Sequence, residues 1–294
     1  MPELPEVETI YLGLKEVLVE KTIRSVWSDW EKSFPYDKNF IKENVLGQKI
    51  NLVKRRGKSL IIELSKNYLV IHLKMTGQLI YRSNGYNFGG GHPNDSLIGK
   101  MPDKTTHAIF TFNDNSKLFF NDQRKFGWIK IFTPDSIKEF KFLNQLGLEP
   151  LEPNFTFLNF KKSLLKHSKA RIKAVLLDQT VIAGIGNIYA DESLWMSRIH
   201  PATLVSNIDS QHLKMLHSSI LKILRLSINK GGSSDRNYVN SSGQKGSYLE
   251  FSNVYKRTGL KCKRCGTAII KIRVASRGTH ICPNCQKLIN KKPH

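Results

Sequence analysis

All four cysteines of the chain lie between residues 262 and 285, in two CxxC pairs, CKRC and CPNC, separated by residues 266–281. Two such pairs joined by a short hairpin bring four thiolates into the tetrahedral arrangement that structural zinc prefers. Two disulfides or a redox CxxC are the alternatives. The glutamate-rich start of the chain is unlike a secretion signal, however, and a thioredoxin-like site needs one CxxC at a helix start. The spacing therefore predicts a zinc ribbon with one closed structural zinc site, formed by Cys262, Cys265, Cys282 and Cys285.

The predicted ribbon is rich in positive charge. Because four sulfurs complete a tetrahedral shell, His280 and His294 are expected at its surface rather than among the ligands. The basic residues are Lys256, Arg257, Lys261, Lys263, Arg264, Lys271, Arg273 and Arg277. Clustered lysine and arginine attract phosphates, so we expect the ribbon to bind a polyanion as well as zinc.

The excess of positive charge extends over the whole chain. The 46 lysines and arginines outnumber the 24 acidic residues, which gives a formal net charge of +22. This balance favours nucleic acid as the partner, with an anionic membrane surface or a ribosomal-type role as alternatives. No long run of consecutive basic residues marks a disordered tail, and apolar runs such as LIIEL and YLVIHL are far too short to span a bilayer. We expect a cytoplasmic protein without a membrane segment.

The hydrophobic pattern divides the remaining chain into two parts. Between residues 22 and 132, β-branched and aromatic runs predict strands at TIRSVW, KINLVK, SLIIEL, YLVIHLK, THAIFTF, KLFF and GWIKIF. Their polar–apolar alternation favours a β-sandwich, and SNGYNFGGGHPNDS (83–96) is interpreted as a loop. From about residue 156 to 230 the period is helical. The expected fold class is α+β: an N-terminal β-sandwich with flanking helices, then a C-terminal helical bundle and a zinc ribbon.

These patterns also predict the domain boundaries. We place the β-sandwich domain at 1–133, a hinge at 134–155, the helical domain at 156–252 and the zinc finger at 253–294. The hinge contains a predicted helix near 135–146 and the proline-bearing GLEPLEPN. The helical domain ends with a glycine- and serine-rich loop.

The chain opens with MPELPEVET, which allows two interpretations. LPEVETIYLGLKEVL predicts an amphipathic helix, with Pro5 at its first position and Glu6 suiting the positive end of its dipole. This leaves Pro2 and Glu3 outside the helix. If Met1 is removed, the nitrogen of Pro2 becomes a free secondary amine beside the Glu3 carboxylate. The segment is therefore either an ordinary helix start or a catalytic amine.

Four further motifs could bind nucleic acid, and each also has an ordinary interpretation. Lys58 in KRRGKSL lies at a turn and could be merely solvated. Met75 in HLKMTGQL and Phe126 in NDQRKFGW are residue types of a core, but exposed at turns they could wedge into a base stack beside Arg124. AGIGNIYADE opens a helix at Asn187, whose amides would cradle a phosphate, although a lone GxG is weak support.

Together and in this order, the motifs resemble the bacterial formamidopyrimidine-DNA glycosylase family. MPELPEVET, RRGK, HLKMTG, QRKFG, AGIGNIYADE, GGSS and the zinc finger with SRGT before its second CxxC cover essentially the whole chain. Endonuclease VIII relatives have a different acidic opening. The resemblance implies that the helical domain contains a helix–two-turn–helix motif.

The resemblance also implies an activity. It is that of a bifunctional DNA glycosylase and AP lyase, which removes 8-oxoguanine and formamidopyrimidines through a Schiff base and cleaves the strand by β,δ-elimination. Pro2 is the implied nucleophile and Glu3 its acid/base partner, while Glu6 supports the catalytic end of the helix. The implied catalytic residues are Pro2, Glu3, Lys58 and Arg277.

The implied partner is double-stranded DNA that contains oxidised bases or abasic sites, bound by a monomer near the bacterial nucleoid. Asn187 and Arg277 would hold the kinked backbone, and the loop around Ser233–Tyr238 would close over the damaged base. The implied DNA-binding residues are Met75, His107, Arg124, Phe126 and Asn187.

Two other functions stay open from the residues: a non-catalytic binding protein on the same scaffold, and the same chemistry on oxidised pyrimidines, as in endonuclease VIII. The sequence also departs from the family pattern. GSYLEF places Leu249 where the family commonly has glutamine, KTTHAIF replaces a Lys-His-Asp-His run at His107, and residues 83–105 form a long segment. These departures bear on the lesion pocket more than on the chemistry.

Overall fold

The computed structural model of the protein describes residues 1–92, 97, 99–232 and 248–289. The chain forms two compact units. The first comprises Met1–Asn144 and Ile228–Ser247, and the second comprises Gln145–Ser227 and Tyr248–His294. The first is rich in strands, and the described part of the second is mainly helical.

Two antiparallel sheets form the first unit. Its strands are β1 (Ile23–Ser28), β2 (Ile50–Arg56), β3 (Ser59–Leu64), β4 (Tyr68–His72), β5 (Gly77–Arg82), β6 (Asn87–Gly91), β7 (Thr106–Phe112), β8 (Lys117–Asp122) and β9 (Trp128–Phe132). Its helices include α1 (Leu4–Leu18), α2 (Lys38–Asn44), α3 (Pro134–Lys138) and α4 (Lys141–Asn144). One sheet has the order β1-β7-β8-β5-β6 and the other β2-β3-β4-β9. Every segment predicted as a strand in this region forms one.

Helix α1 has the bounds that its amphipathic pattern predicts. Val7, Ile10 and Leu14 are fully buried in a core that both sheets share. The helix packs against β2 and β6, which are edge strands of the two sheets. A Cβ atom at Gly13 would lie 2.3 Å from the ring of Phe88 in β6, so the close approach requires glycine. Helix α1 therefore covers edges that would otherwise be open.

The sequence pattern misses three elements of this unit, β5, β6 and α2. NFGGG, interpreted as loop, is the edge strand β6, and its glycines reflect crowding. A Cβ at Gly89 would lie 3.2 Å from Leu97, and Gly91 has a φ of +127°. Helix α2 is short and depends on its N-cap, since the side chain of Asp37 accepts a hydrogen bond from the Phe40 amide at 2.8 Å.

The long segment 83–105 has a structural role in its described part. Beyond β6, Leu97 packs with Ile80 and Phe119 on the five-stranded sheet, where they form a small separate core. The guanidinium of Arg82 donates to the carbonyl of Leu97 at 2.8 Å and ties the segment to β5. The segment thus covers part of one sheet face.

From residue 145 onward the described chain is mainly helical. Its elements are α5 (Phe157–Leu165), α6 (Ile172–Leu177), α7 (Asn187–Met196), a 3₁₀ helix (Val205–Asn207), α8 (Ser210–Asn229), α9 (Tyr248–Phe251), β10 (Ile270–Val274) and β11 (Arg277–Ile281). Helix α8 lies within the segment of predicted helical period, and α7 is buried along most of its length. The α+β fold class is confirmed. Among the described residues, no helix has the length and apolar content needed to cross a bilayer.

Candidate active site and nucleic-acid interface

The start of helix α1 is buried and hydrogen bonded. Pro2 is buried, and Glu3 and Glu6 are each 4% exposed. Glu3 is the N-cap of the helix and forms a reciprocal capping box with Glu6, in which the Glu3 amide donates to Glu6 Oε2 at 2.8 Å. A capping box satisfies amide groups that a helix start leaves without partners. Glu3 therefore lies directly before the helix, as the sequence predicts, and its position has a structural explanation as the cap.

Charged groups of both signs surround the N-terminal nitrogen, which belongs to Met1 in the described chain. Burial lowers the pKa of this amino group, and the nearby cations Lys58 and Arg124 lower it further. The carboxylates of Glu3 and Glu6 act in the opposite direction. Burial is the largest effect, so an amine here releases its proton more readily than one in water. The structure thus brings the chain start together with Glu3, Lys58 and Arg124.

Lys58 lies in the tight turn between β2 and β3, where Arg56 pairs with Ser59. Gly57, the other residue of the turn, has a φ of +56°, a conformation that favours glycine. The Lys58 side chain is buried, with 7% exposure. A merely solvated basic turn is therefore excluded for Lys58.

Arg55 fixes this turn against helix α1. Its guanidinium forms an ion pair with Glu8 and donates from Nη1 to the carbonyl of Gly57 at 2.9 Å. The charge of Arg55 is therefore compensated within the first unit. Lys58 and Arg124 are the cations that lower the pKa of the N-terminal amine.

Two connections cross between the sheets at the ends of neighbouring strands. Residues 73–76 join β4 to β5, and residues 123–127, the wedge loop, join β8 to β9. Because β4 pairs with β9 and β5 with β8, these connections lie side by side, with Gly77 opposite Asp122. The topology thereby places Met75 beside the wedge loop, although the two are far apart in sequence.

Apolar side chains project from both connections. Met75 is 39% exposed and Phe126 is 53% exposed, so the alternative of a core role is wrong for both. Arg124 is exposed as well, and its Cζ lies 4.8 Å from the centre of the Phe126 ring. Exposed apolar side chains of this kind, with a stacked cation, have the chemistry to enter a gap in a base stack.

Asp122 fixes the wedge loop, and the sequence analysis did not identify it. Its carboxylate is fully buried and accepts hydrogen bonds from the amides of Phe126 at 2.8 Å, Gly127 at 2.6 Å and Arg124 at 3.2 Å. The hydroxyl of Thr76 donates to the same carboxylate. One buried acid therefore holds the backbone of the wedge loop and the Thr76 side chain of the neighbouring connection. An aspartate directly before a turn was the available sequence signal.

His72 is a second residue that the sequence analysis missed. It is 8% exposed and stacks on Trp128, with ring centroids 5.7 Å apart. Burial, followed by the charges of Lys74 and Lys58, lowers the pKa of His72 to about 3. Its neutral Nδ1 accepts a hydrogen bond from the Lys74 amide at 3.0 Å. His72 therefore supports the connection that carries Met75.

The structure places His107 beneath the surface. Its side chain is 2% exposed, and Nδ1 lies 2.9 Å from Asp29 Oδ1. Nε2 is buried and has no hydrogen-bond partner among the described residues. A DNA contact by His107 stays a prediction.

In the second unit, the start of α7 meets the β10–β11 hairpin. Asn187, the first residue of α7, donates from Nδ2 to the carbonyl of Gly278 at 3.1 Å. Arg277 directly precedes Gly278 and is exposed. Amides at a helix start and an adjacent arginine together suit a phosphate. The structure thus brings Asn187 and the segment of Arg277 together.

A buried ion pair holds this hairpin in place, and the sequence analysis missed it. Lys173 of α6 and Asp191 of α7 are fully buried, with Nζ 2.6 Å from Oδ1. The same Nζ lies 2.7 Å from Thr279 Oγ1 and 3.3 Å from the carbonyl of Gly278. Asp191 Oδ2 accepts from the amide of His280 at 2.9 Å. Two helices are therefore joined to strand β11.

Glu192, the next residue of α7, is also fully buried. It accepts backbone hydrogen bonds from Asn253, Val254 and Tyr255 at distances from 2.8 to 3.0 Å. Burial raises the pKa of Glu192, and these hydrogen bonds oppose the shift. Helix α7 therefore anchors the chain that leads into the ribbon as well as the hairpin.

The four cysteines form the predicted metal site. Their sulfur atoms lie within 4.8 Å of one another, with 3.9 Å between Cys262 and Cys285 and 3.4 Å between Cys265 and Cys282. A tetrahedron with zinc–sulfur distances of about 2.3 Å has edges of about 3.8 Å, so the cluster fits zinc. Backbone amides donate to the sulfurs, as Arg264 does to Cys262 at 3.4 Å. The cysteines are thus the ligands of one structural zinc ion.

One expectation about the ribbon is wrong. His280 is buried, with 8% exposure, because its amide and its Nδ1 both face the carboxylate of Asp191. Its ring packs edge-on against Tyr255, with 5.0 Å between centroids. Asp191 draws the histidine inward, away from the surface. His294 and the loop around Ser233–Tyr238 lie outside the described residues.

A sandwich that buries a charged helix start, with a helical unit that ends in a basic zinc ribbon, defines a zinc-containing nucleic-acid-binding protein. Comparison with known families is more specific. Residues 1–129 match the formamidopyrimidine-DNA glycosylase N-terminal domain, residues 146–238 match the helix–two-turn–helix domain of that glycosylase, and residues 259–288 match its zinc finger, which isoleucyl-tRNA synthetase shares. The chain belongs to the formamidopyrimidine-DNA glycosylase family.

Individual relatives agree over the full length. The formamidopyrimidine-DNA glycosylase of Enterococcus faecalis is 39% identical over 99% of both chains. That of Latilactobacillus sakei is 38% identical over 99% of this chain and 100% of its own. The family resemblance found in the motifs is thereby confirmed.

Solved structures with the same fold include Lactococcus lactis Fpg bound to DNA. A complex with DNA that contains an abasic site has a TM-score of 0.84 and 35% identity, and covers 97% of this chain and 99% of that chain. A complex with DNA that contains N7-benzyl-Fapy-dG has the same score and identity and covers 97% and 100%. The fold predicted from the sequence is therefore that of this family.

Proposed function

We propose that the protein is a bifunctional DNA glycosylase and AP lyase that excises 8-oxoguanine and formamidopyrimidines from double-stranded DNA. The observation that carries the proposal is the buried start of α1, where Glu3, Lys58 and Arg124 surround the N-terminal nitrogen. Family membership and the lesion-bearing DNA in the Lactococcus lactis complexes support it. Pure binding would not require a buried lysine and glutamate beside an amine.

Access to a damaged base requires that its nucleotide rotate out of the duplex, which costs a few kcal/mol. Met75 and Phe126 fill the gap, with Arg124 beside them, and recover part of that cost. Their exposure in the absence of DNA supports this role. His107 is also expected to contact the DNA, and its ring is 2% exposed in the absence of DNA.

Removal of Met1 makes the nitrogen of Pro2 the nucleophile. The amine attacks the anomeric carbon of the everted nucleotide, and Glu3 gives a proton to the sugar oxygen. The bond to the base breaks, and the base leaves with the proton of the amine. The bond between the anomeric carbon and the ring oxygen then breaks as that oxygen takes the proton of Glu3, and an iminium forms between the nitrogen and the carbon. This cation acidifies the neighbouring C–H bonds of the sugar. The strand is therefore cleaved by β-elimination and then by δ-elimination.

An N-terminal amine suits this task better than a lysine. A generic α-amino group has a pKa of about 8, against about 10.4 for lysine, so far more of it is unprotonated at pH 7. The secondary amine of proline is more basic, but burial and the charges of Lys58 and Arg124 act against protonation at this place. A secondary amine also gives a permanently charged iminium, which is a better electron sink than a neutral imine.

The second unit supplies phosphate contacts. Asn187 and Arg277 hold the DNA backbone, and Arg277 thereby keeps the reacting nucleotide in place. Their proximity through the carbonyl of Gly278 supports a joint role. The zinc ion takes no part in the chemistry and fixes the shape of the ribbon. We expect the protein to act as a monomer.

Reductive trapping tests the proposal. With a duplex that contains 8-oxoguanine opposite cytosine, borohydride should convert the iminium into a stable protein–DNA adduct. The Pro2→Gly variant should bind the duplex and fail to form the adduct. Strong trapping by this variant would refute the assignment of Pro2. A preference for thymine-glycol duplexes would instead indicate activity on oxidised pyrimidines.

A further inference from the structure

Lys125 of the wedge loop is held from behind by an aromatic ring. Its backbone is left-handed, with a φ of +58°, which is unfavourable for a residue with a Cβ atom. The amide of Lys125 donates to the carbonyl of Asp122 at 3.3 Å. Its Nζ lies 4.1 Å from the centre of the Trp30 ring, well within the range of a cation–π interaction. The exposed side chain of Lys125 thus contacts the face of the Trp30 ring.

Trp30 is itself part of a rigid platform. Its carbonyl accepts from the Ser33 amide at 3.0 Å, and the carbonyl of Ser33 accepts from the Ile129 amide in β9 at 2.7 Å. The preceding residue, Asp29, bonds to His107 in β7 through its carboxylate at 2.9 Å. Trp30 is therefore tied to strands of both sheets, and its ring lies 6.4 Å from that of His107.

Two cation–aromatic pairs thus involve consecutive residues of the wedge loop. Arg124 stacks on Phe126, and both are exposed, whereas Lys125 stacks on the half-buried Trp30. The pair with Trp30 anchors the middle of the loop. The exposed pair is then presented from a fixed backbone.

We propose that Trp30 is a positioning residue for DNA-gap filling. Its ring holds the Lys125 ammonium and so stabilises the left-handed turn that presents Phe126 and Arg124. Trp30 acts through Lys125 and need not touch the DNA. This role rests on the proposed function of the wedge loop and adds to it a residue from the segment that follows β1.

The rate at which the enzyme fills the gap in a lesion-bearing duplex can be measured directly. A 2-aminopurine next to the lesion reports loss of stacking, and its fluorescence is followed by stopped flow after mixing with enzyme. Trp30→Leu and Lys125→Met should each slow the fluorescence change about threefold, the effect of a cation–π pair at an exposed site. The double variant should be no slower than either single variant. Lys125→Arg and Trp30→Phe keep the pair and should retain most of the rate.

Two controls separate positioning from folding and chemistry. Trp27→Leu removes an exposed tryptophan from the neighbouring strand β1, and it should leave the rate unchanged. Covalent trapping on a single-stranded abasic oligonucleotide should be equal in all variants, because no base stack has to be filled. If the Trp30→Leu variant does not fold, the comparison of Lys125→Met with Lys125→Arg tests the pair instead, because Lys125 is exposed.

The outcomes are distinct. If Trp30→Leu fills the gap at the wild-type rate, or if the two single effects multiply in the double variant, Trp30 does not act through Lys125 and the inference is wrong. If Lys125→Met fills the gap slowly and Lys125→Arg fills it just as slowly, the proposed role of Trp30 is also wrong. Failure of the wild-type protein to form any trapped adduct would instead overturn the proposed function, whatever the variants do.

Discussion

The wedge loop and the β10–β11 hairpin both present candidate DNA-binding residues, but they are held in different ways. The wedge loop depends on Asp122, whose carboxylate accepts hydrogen bonds from backbone amides. The hairpin depends on a buried ion pair, Lys173 and Asp191, and on the neighbouring zinc site. In the wedge loop, the buried carboxylate binds the backbone, and the side chains of Arg124 and Phe126 are exposed. A hairpin held by buried charges is rigid and fails when one charge is removed.

Among the changes that separate the hairpin from the wedge loop, loss of zinc is expected to have the largest effect on DNA binding. Cys282→Ser removes one of four ligands, and a zinc site contributes on the order of 10 kcal/mol to the folding of a small module. DNA binding should fall about 100-fold or more, while the sandwich keeps its secondary structure. Binding is measured by fluorescence anisotropy and the fold by circular dichroism. Unchanged binding by the metal-free variant would show that the ribbon does not contact DNA.

The buried ion pair should have the next largest effect. Lys173→Met leaves Asp191 buried without its cation, which costs about 4 kcal/mol in the free energy of unfolding. Urea titration of the second unit's transition measures this loss. The double variant Lys173→Met/Asp191→Leu should recover much of it, because no charge is left buried. Lys214→Met, at an exposed position of α8, is the matched control. A stable single variant would contradict the account of the hairpin.

Asp122→Asn should have a smaller effect on stability and a selective effect on activity. The amide replaces a charged acceptor of several hydrogen bonds, so we expect a loss of about 2 kcal/mol. Cleavage of lesion-bearing duplex should fall more than trapping on a single-stranded abasic site. Asp135→Asn, which alters an exposed ion pair, should change neither. Equal losses on both substrates would mean that Asp122 does not act through the wedge loop.

The fold was largely readable from local patterns. The period of α1 and α8, the alternation in most strands and the spacing of the cysteines each depend on residues close in sequence. Strand β6 was missed because its glycines are required by close contacts with Leu97 and with β5. A local sequence pattern does not reveal such contacts. The domain boundaries placed at 133, 155 and 252 stay predictions.

The residues of the candidate site also fall into two groups, those that the sequence identified and those that required the structure. Pro2, Lys58 and Phe126 lie in short motifs whose order along the chain carries the family resemblance. Asp122 and the pair of Lys173 and Asp191 gain their importance from partners that the fold brings to them. A buried charge in the middle of a helix has the same sequence appearance as an exposed one, so these supporting residues required the structure.

The central claim is that the nitrogen of Pro2 forms the covalent bond to DNA. Borohydride-trapped protein can be digested with protease and nuclease, and the modified peptide identified by mass spectrometry. The account predicts a peptide that begins at Pro2, lacks Met1 and carries the sugar remnant on its terminal nitrogen. A trapped and active enzyme that retains Met1, or that carries the remnant on Lys58, would contradict it.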